Sequence, residues 1–189
     1  MIRLTGDESH TIRRVTEADI ALLAELASAT FAETFGHLYP RVDLEDYLAT
    51  AMAPAAYVRL IGDPGAATWF AQSADGYPIG FAVAGDCKLP VADLEPGAGE
   101  IRNLYVRSTH QQHRLGTRLL VTALEWLESR GPAPLYVGVW SGNHGAQRLY
   151  GRYGFGKVGE YEFPVGRQRD REFILKRPIN WTSSAASAS

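Results

Sequence analysis

Residues 100–120 read EIRNLYVRSTHQQHRLGTRLL, and the rest of the chain is arranged around them. Between Glu100 and Val106, the apolar residues Ile101, Leu104 and Val106 stand among polar ones. That pattern is strand-like, though not strictly alternating. From Gly116 the spacing changes, and Leu119, Leu120, Ala123, Trp126 and Leu127 recur at the three-and-four interval of one helical face. Between the two lies the polar STHQQHRLGT. A turn that opens a helix leaves backbone N–H groups without partners and aims them at one spot, where the helix dipole favours an anion. Many folds contain such a turn, so its neighbours have to narrow the reading.

Downstream, Leu135–Trp140 is a near-continuous apolar run, as in a strand buried on both faces. Val106 to Leu135 covers about thirty residues, the length of a βαβ unit, whose strands run parallel with a right-handed crossover. Upstream, TIRRV (11–15) reads as a short strand, and Thr16 to Asp19 as a start resembling a capping box. Ile20, Leu23, Ala27, Phe31 and Phe35 mark a helical face that Gly36 stops. Asp43 is expected to cap a second helix, and Pro54 to end it or open a third through Leu60. Residues 67–72 and 79–84 flank Asp75-Gly76 as a hairpin, and 85–99 form a loop rich in Gly, Pro and Asp. After Trp140 come a short helix with Ala146, Leu149, Tyr150 and Tyr153 on one side, then strands at 156–163 and 171–176. The order predicts an α/β (α+β) chain with one parallel crossover among antiparallel neighbours. A single domain is expected over 10–178, after a polar leader (1–9) and before a disordered tail (179–189).

Composition excludes several classes. Net charge is −2 over 189 residues, without a block of Lys or Arg, so a nucleic-acid partner driven by phosphate contacts is not expected. Cys87 is the single cysteine, so neither an internal disulfide nor a CxxC metal site can form, and packing is a plainer role for it than nucleophile. MIRLTGDESH lacks the apolar core of a signal peptide, and no run reaches the length of a membrane span, so a cytoplasmic protein without a membrane partner is expected.

Two signatures resemble the GNAT superfamily of acetyl-CoA-dependent N-acetyltransferases, over roughly residues 10–178. LYVRSTHQQHRLGTRLL (104–120) resembles the family's loop Gln/Arg-x-x-Gly-x-Gly/Ala, with Gln111 to Gly116 aligned to it. NHGAQRLYGRYGF (143–155) resembles its Asn-x-x-Ala-x-x-x-Tyr followed by Gly-Phe. One position departs: Arg114 stands where the family has its first glycine, so it must keep a negative φ or tolerate strain. FAETFGHLYP (31–40) and residues 158–178 further resemble the polyamine-acetylating branch typified by PaiA. The resemblance implies a central mixed, mostly antiparallel sheet of about six or seven strands, with acetyl-CoA as co-substrate, an amine acceptor and no metal. It offers a homodimer only as a prior.

The resemblance also implies roles. Backbone N–H groups around Gln111, Gln112, His113, Arg114, Leu115, Gly116 and Thr117 would hold the pyrophosphate, with the Arg114 guanidinium pairing to a phosphate. Leu104, Tyr105 and Val106 would offer strand-edge backbone to the pantetheine arm, where their strand splays from 135–140. A backbone N–H near Val106 would polarise the thioester carbonyl. Asn143 and Ala146 would lie on the cofactor, with capping of the short helix as the other reading of Asn143. Tyr150, protonated at neutral pH, would donate to the departing thiolate, against the alternative of a core tyrosine. Glu100 and Glu33 are the candidate bases, although a glutamate in either place is more often a solvated surface residue. Glu33, Tyr39 and Trp140 would border the acceptor, in a cleft built from 31–41, the 85–99 loop and the 161–171 hairpin. The expected reaction is direct attack of a primary amine in a ternary complex, on a small amine, with polyamines included, or on a protein amine. The competing expectation is a sensor that binds acyl-CoA without turnover.

Overall fold

The structure is a computed structural model that describes residues 10–111 and 113–181. The readings on the leader, on Gln112 and on 182–189 lie outside the described residues. In chain order come β1 (Thr11–Arg14), α1 (Ile20–Phe35), α2 (Arg41–Ala51), α3 (Pro54–Ile61), β2 (Ala66–Gln72) and β3 (Pro78–Asp86). β4 (Gly99–Val106), α4 (Leu115–Ser129), β5 (Leu135–Trp140), α5 (His144–Arg152), β6 (Gly156–Val165) and β7 (Gln168–Arg177) follow. The seven strands form one sheet in the order β1-β2-β3-β4-β5-β7-β6. Every pair is antiparallel except β4–β5.

Helices cover both faces of the sheet, which explains why β2 and β3 read as continuous apolar runs. Alternate side chains go to opposite faces. Trp69, Ala71, Ala82 and Ala84 pack under α4 with Leu119, Leu120, Ala123 and Leu127. Phe70, Phe81 and Val83 pack under α1 with Leu23, Leu26 and Ala27. A third cluster, Phe31, Phe35, Tyr39 and Val165, joins the end of α1 to the β6–β7 hairpin.

The start of α1 follows the predicted capping box. The Asp19 carboxylate accepts from the Thr16 backbone N–H (2.9 Å) and hydroxyl (3.0 Å), and it pairs with Arg13 on β1 at 2.7 Å. That guanidinium holds the Asp19 carboxyl far below the ordinary carboxylate range.

Three boundaries differ from the sequence reading. Pro40, not Asp43, stands at the N-cap of α2. Asp43 sits two residues inside that helix, buried, and accepts from the Arg167 backbone N–H (3.5 Å) in the β6–β7 turn. Its carboxylate serves a long-range contact rather than its own helix end. The second hairpin is also longer than expected, because β6 and β7 pair out to Val165 and Gln168. Finally, Trp181 comes back against Gly154 and under the Arg177 guanidinium, 5.3 Å from ring centroid to cation.

Leu119 has no exposed surface at the centre of the α4 core. Leu119→Ala is expected to lower unfolding free energy by about 2–5 kcal/mol, read as a drop in the denaturant midpoint with an unchanged slope.

Candidate active site

β4 and β5 part soon after they begin. They pair at Gly99–Leu135, Glu100–Tyr136 and Ile101–Val137 and no further. β4 stays with β3 as far as Val106, and β5 stays with β7 as far as Trp140. A shift of register against Val83 and Ala84 leaves Arg102 as an extra residue on β4, a bulge that bends a strand away from its neighbour. The Phe35 ring meets one residue of each diverging strand edge-on, Tyr105 at 6.4 Å and Trp140 at 6.0 Å. An aromatic wedge therefore keeps the gap open.

Two cavities open from this gap. One is a groove of about 460 Å³ along the start of α4, lined by Val106, His110, Gln111, Arg114, Leu115, Gly116 and Thr117, and across from them by Gly145, Leu149 and Arg152 of α5. The other is a cleft of about 140 Å³ under the helical side, lined by Phe31, Phe35, Tyr39, Tyr47, Trp140, Tyr161 and Phe163 together with Glu100, Asp170 and Glu172. Leu104, Asn143, Ala146 and Tyr150 line both. The two cavities thus meet at one point, walled by the free edge of β4 and the first turns of α5.

The groove suits an anionic, elongated ligand. The first helical bond of α4 runs from the Arg118 N–H to the Arg114 carbonyl at 2.9 Å, so the N–H groups of Leu115, Gly116 and Thr117 have no acceptor within the helix. Arg114 has φ 56° and ψ 13°, the one non-glycine residue with positive φ among those described. Of the two options left by the sequence, the strained one is taken. Its backbone makes the turn a glycine would make, and the residue lines the groove. A Cβ on Gly116 would meet only Val106 Cγ2, at 3.9 Å, so that position is not tightly constrained. Gln111 donates from Nε2 to the Val106 carbonyl (3.3 Å), closing the loop onto β4.

At the junction, Asn143 caps α5 by accepting from the Ala146 N–H at 3.0 Å. Tyr150 is buried, its ring edge-on to Phe155 at 5.9 Å. Its hydroxyl makes no hydrogen bond among the described residues. Burial, with Glu172 adding to it, raises the phenol well above its usual pKa, so it is a proton donor at any ordinary pH.

The cleft gathers three carboxylates, and the nearby cations, Arg102 and Lys88, act on only one of them, Glu100. Arg102 is counted in its wall, yet its guanidinium turns away to the Asp86 carbonyl at 2.7 Å. Glu100 is 7% exposed and accepts from the Lys88 backbone N–H at 2.7 Å, and burial raises its carboxyl above the ordinary range. Glu172 accepts from the Tyr161 hydroxyl at 2.7 Å. Burial raises its carboxyl, the Tyr161 bond pulls it back, and neighbouring Asp170 raises it further. The Tyr39 hydroxyl donates to Asp170.

Not every residue singled out from the sequence comes to this place. Glu33 lies outside the lining of both cavities, with one oxygen 2.7 Å from the Arg107 Nε and the other accepting from the Ser108 N–H at 2.9 Å. It braces α1 to the loop after β4. The 85–99 loop does not line the cleft: Asp86 pairs with Arg130 at 2.8 Å, and Glu95 is held by Lys176 and Tyr136. His113 does not line the groove, whereas His110 does. Cys87 is half-buried, and burial pushes its thiol up to about 11, unsuited to a nucleophile. Sequence reasoning brought the 161–171 hairpin to the cleft without singling out Tyr161 or Asp170, and it missed Arg152 and Glu172. The period-two spacing of Asp170 and Glu172 places them on one face of β7, and that was the available signal. Among the described residues no three His, Cys, Asp or Glu side chains are grouped to hold a metal ion, and no helix is long and apolar enough to cross a membrane.

Comparison with known proteins agrees with this geometry. The sequence pattern of the "Acetyltransferase (GNAT) family" matches residues 21–155. The uncharacterized N-acetyltransferase in the pepI 3′ region of Lactobacillus delbrueckii subsp. lactis is 30% identical over 173 residues, covering 89% of this chain and 96% of that protein. PaiA N-acetyltransferase from Thermoplasma acidophilum, solved in complex with coenzyme A, superposes with a TM-score of 0.72 at 18% identity, over 90% of this chain and 99% of that one. NAA60 from Arabidopsis thaliana, solved with a bisubstrate analogue, gives a TM-score of 0.68 at 17% identity, over 91% and 100%.

The left-handed backbone at Arg114 costs about 1–2 kcal/mol for a residue with a Cβ, partly offset in a glycine by its greater unfolded-state entropy. Arg114→Gly is therefore expected to raise the thermal midpoint slightly, while Arg114→Ala, which keeps the Cβ, does not. Calorimetry of the two variants beside the parent checks the order.

Proposed function

Because the chain belongs to the acetyltransferase (GNAT) family, we propose that it moves the acetyl group of acetyl-CoA to a primary amine by direct attack in a ternary complex. The observation that carries this is the meeting of two unlike cavities at Leu104, Asn143, Ala146 and Tyr150. One is rich in N–H donors and guanidinium groups, and the other in carboxylates and aromatic rings.

The residues present fit acetyl-CoA in the groove. The free N–H groups of Leu115, Gly116 and Thr117, with Arg114 and Arg152 on opposite walls, would hold the diphosphate and its neighbouring phosphate. Beyond Ile101 the edge of β4 facing β5 has no strand partner, so Leu104 to Val106 would present backbone groups to an extended amide-bearing arm. The bound co-substrate would supply an activated acyl group. Tyr150, at the junction, would protonate the departing sulfur, since its phenol is held neutral and its hydroxyl is not otherwise engaged.

The second cleft supports a cationic acceptor. Three carboxylates, Glu100, Asp170 and Glu172, outnumber the cations near them and favour a cationic ligand, and the faces of Phe31, Tyr39, Tyr47 and Trp140 add cation–π attraction and room for an aliphatic stem. A small amine, a polyamine among them, suits that lining better than a peptide segment, which would ask for backbone partners. The same reading puts the enzyme in the cytoplasm, with a homodimer as its prior assembly. The cleft itself speaks against a sensor that binds acyl-CoA without turnover, because a sensor has no use for an acceptor site opening onto the same tyrosine.

The test has two steps. Acetyl-CoA is expected to raise the thermal midpoint of the protein. Free thiol should then appear with acetyl-CoA and one or more of spermidine, 1,4-diaminobutane, 2-phenylethylamine and an alanine-headed tetrapeptide. Tyr150→Phe is expected to cut kcat by about 10²–10⁴ while leaving stabilisation by acetyl-CoA in place. An unchanged kcat in that variant refutes the acid assignment.

A further inference from the structure

Resting on the acetyl-transfer reading above, we propose that Glu172 of β7 is a catalytic residue that holds the acceptor ammonium at the parting of β4 and β5 and takes its proton, with Tyr161 as its positioning residue. Three observations lead there. The first is the place. Gly138 is the first residue of β5 beyond the last β4–β5 pair, Ile101–Val137. A Cβ on Gly138 would come 2.8 Å from the Tyr161 hydroxyl and 3.3 Å from Glu172 Oε2. The absent side chain is thus what admits the phenol–carboxylate pair to the point where the two strands separate. The second is the fixing of the carboxylate. Glu172 pairs with Tyr161 across the β6–β7 ladder, and the 2.7 Å bond to the tyrosine hydroxyl engages Oε2 alone. No other hydrogen bond or ion pair holds Glu172 among the described residues, so Oε1 is left without a partner on a residue that lines the cleft.

The third is the electrostatic setting. The titratable groups that interact with Glu172 are Tyr161 and Asp170 on its own hairpin, Tyr39 and Tyr47 from the helical side, Tyr105 on β4 and Tyr150 on α5. Glu100 on β4 acts on Tyr161 from the far side. None of these is a cation. A carboxylate in such a setting is raised above its ordinary pKa, which narrows the gap to an alkylammonium and makes it a better base for one. Glu100 shares the cleft, but it stands on the paired side of the parting and already accepts from the Lys88 N–H.

The step balances as follows. The ammonium gives one proton to a Glu172 oxygen, and the freed nitrogen lone pair attacks the thioester carbonyl carbon. The C–N bond forms and the C–S bond breaks, with the electron pair leaving on sulfur. Tyr150 gives its hydroxyl proton to the sulfur and regains one from the second proton that leaves the nitrogen, and Glu172 passes its proton to water. Without the carboxylate, an amine of pKa near 10.4 is free in only about one molecule in ~2500 at pH 7.

The experiment measures kcat/KM against pH for the panel amine that the parent acetylates fastest, in the parent, Glu172→Gln, Tyr161→Phe and Glu100→Gln. The parent rate should rise through the elevated Glu172 pKa and then level off. Glu172→Gln is expected to lose about 100-fold or more at pH 7. Its rate should then climb tenfold per pH unit toward the amine pKa, with stabilisation by acetyl-CoA unchanged. In Tyr161→Phe the bond that pulls the Glu172 pKa down is gone, so the acidic limb should move to higher pH, which a merely structural tyrosine would not do. Glu100→Gln should keep the parental limb. A parental profile in Glu172→Gln overturns the proposal, as does transfer of the limb's dependence to Glu100→Gln. Failure of the parent itself to be stabilised by acetyl-CoA, or to acetylate any amine, instead overturns the acetyl-transfer reading.

Discussion

The three-residue length of the β4–β5 pairing is the constraint on which the rest of the molecule depends. A parallel pair normally continues as long as both strands do, because each unpaired N–H and C=O in a protected place costs free energy. Here both strands run on, each satisfied on its outer side only. The bulge at Arg102 and the Phe35 wedge make that arrangement stable in the absence of a third strand between them. Everything chemical then follows from geometry. The free edge of β4 faces the groove under α4, and the inner face of β5 opens to the carboxylates carried on β7.

The order of strands explains how β7 arrives there. β7, not β6, lies beside β5, so the last hairpin enters the sheet by its second strand. Residues from the very end of the fold are thereby laid over the crossover formed in its middle. The hairpin is tied down at its turn by Asp43, through the Arg167 N–H, and by the aromatic contact of Tyr47 with Phe163 at 6.1 Å. The helical layer and the hairpin thus share the task of closing one side of the carboxylate-lined cleft. Its negative charge persists because the nearby cations are spent elsewhere: Arg171 pairs with Glu160 at 2.7 Å, and Lys176 with Glu95.

Much of this was legible in the sequence. The change of period at Gly116 located α4, the apolar run at 135–140 located β5, and the distance between them specified a parallel crossover. Asn143 and Tyr150 could be singled out because they fall at fixed offsets on one short helix. Glu172 could not. In the sequence it belongs to a charged stretch, QRDREF, that reads as a solvated hairpin, and only the position of β7 in the sheet turns one face of it inward. The 85–99 loop misled in the opposite sense: it was expected in the cleft wall, but Asp86 and Glu95 are paired away from it. Asp43 shows the same limit on a smaller scale: a good capping residue was claimed by a distant turn. Local preference yields to tertiary contact wherever the partner lies far along the chain.

Trp140 gives the molecule an optical property of its own. Of its four tryptophans, Trp69 and Trp126 are packed together beside α4 at 5.8 Å, and Trp181 rests on Gly154. Trp140 alone lines the cleft, its indole edge-on to Phe35 and to His37 at 6.4 Å. Three indoles therefore emit from surroundings that a small molecule in the cleft does not touch, and one emits from its wall. Intrinsic fluorescence is thereby expected to separate into a constant background and a component that follows occupancy of this cleft, without any label being attached.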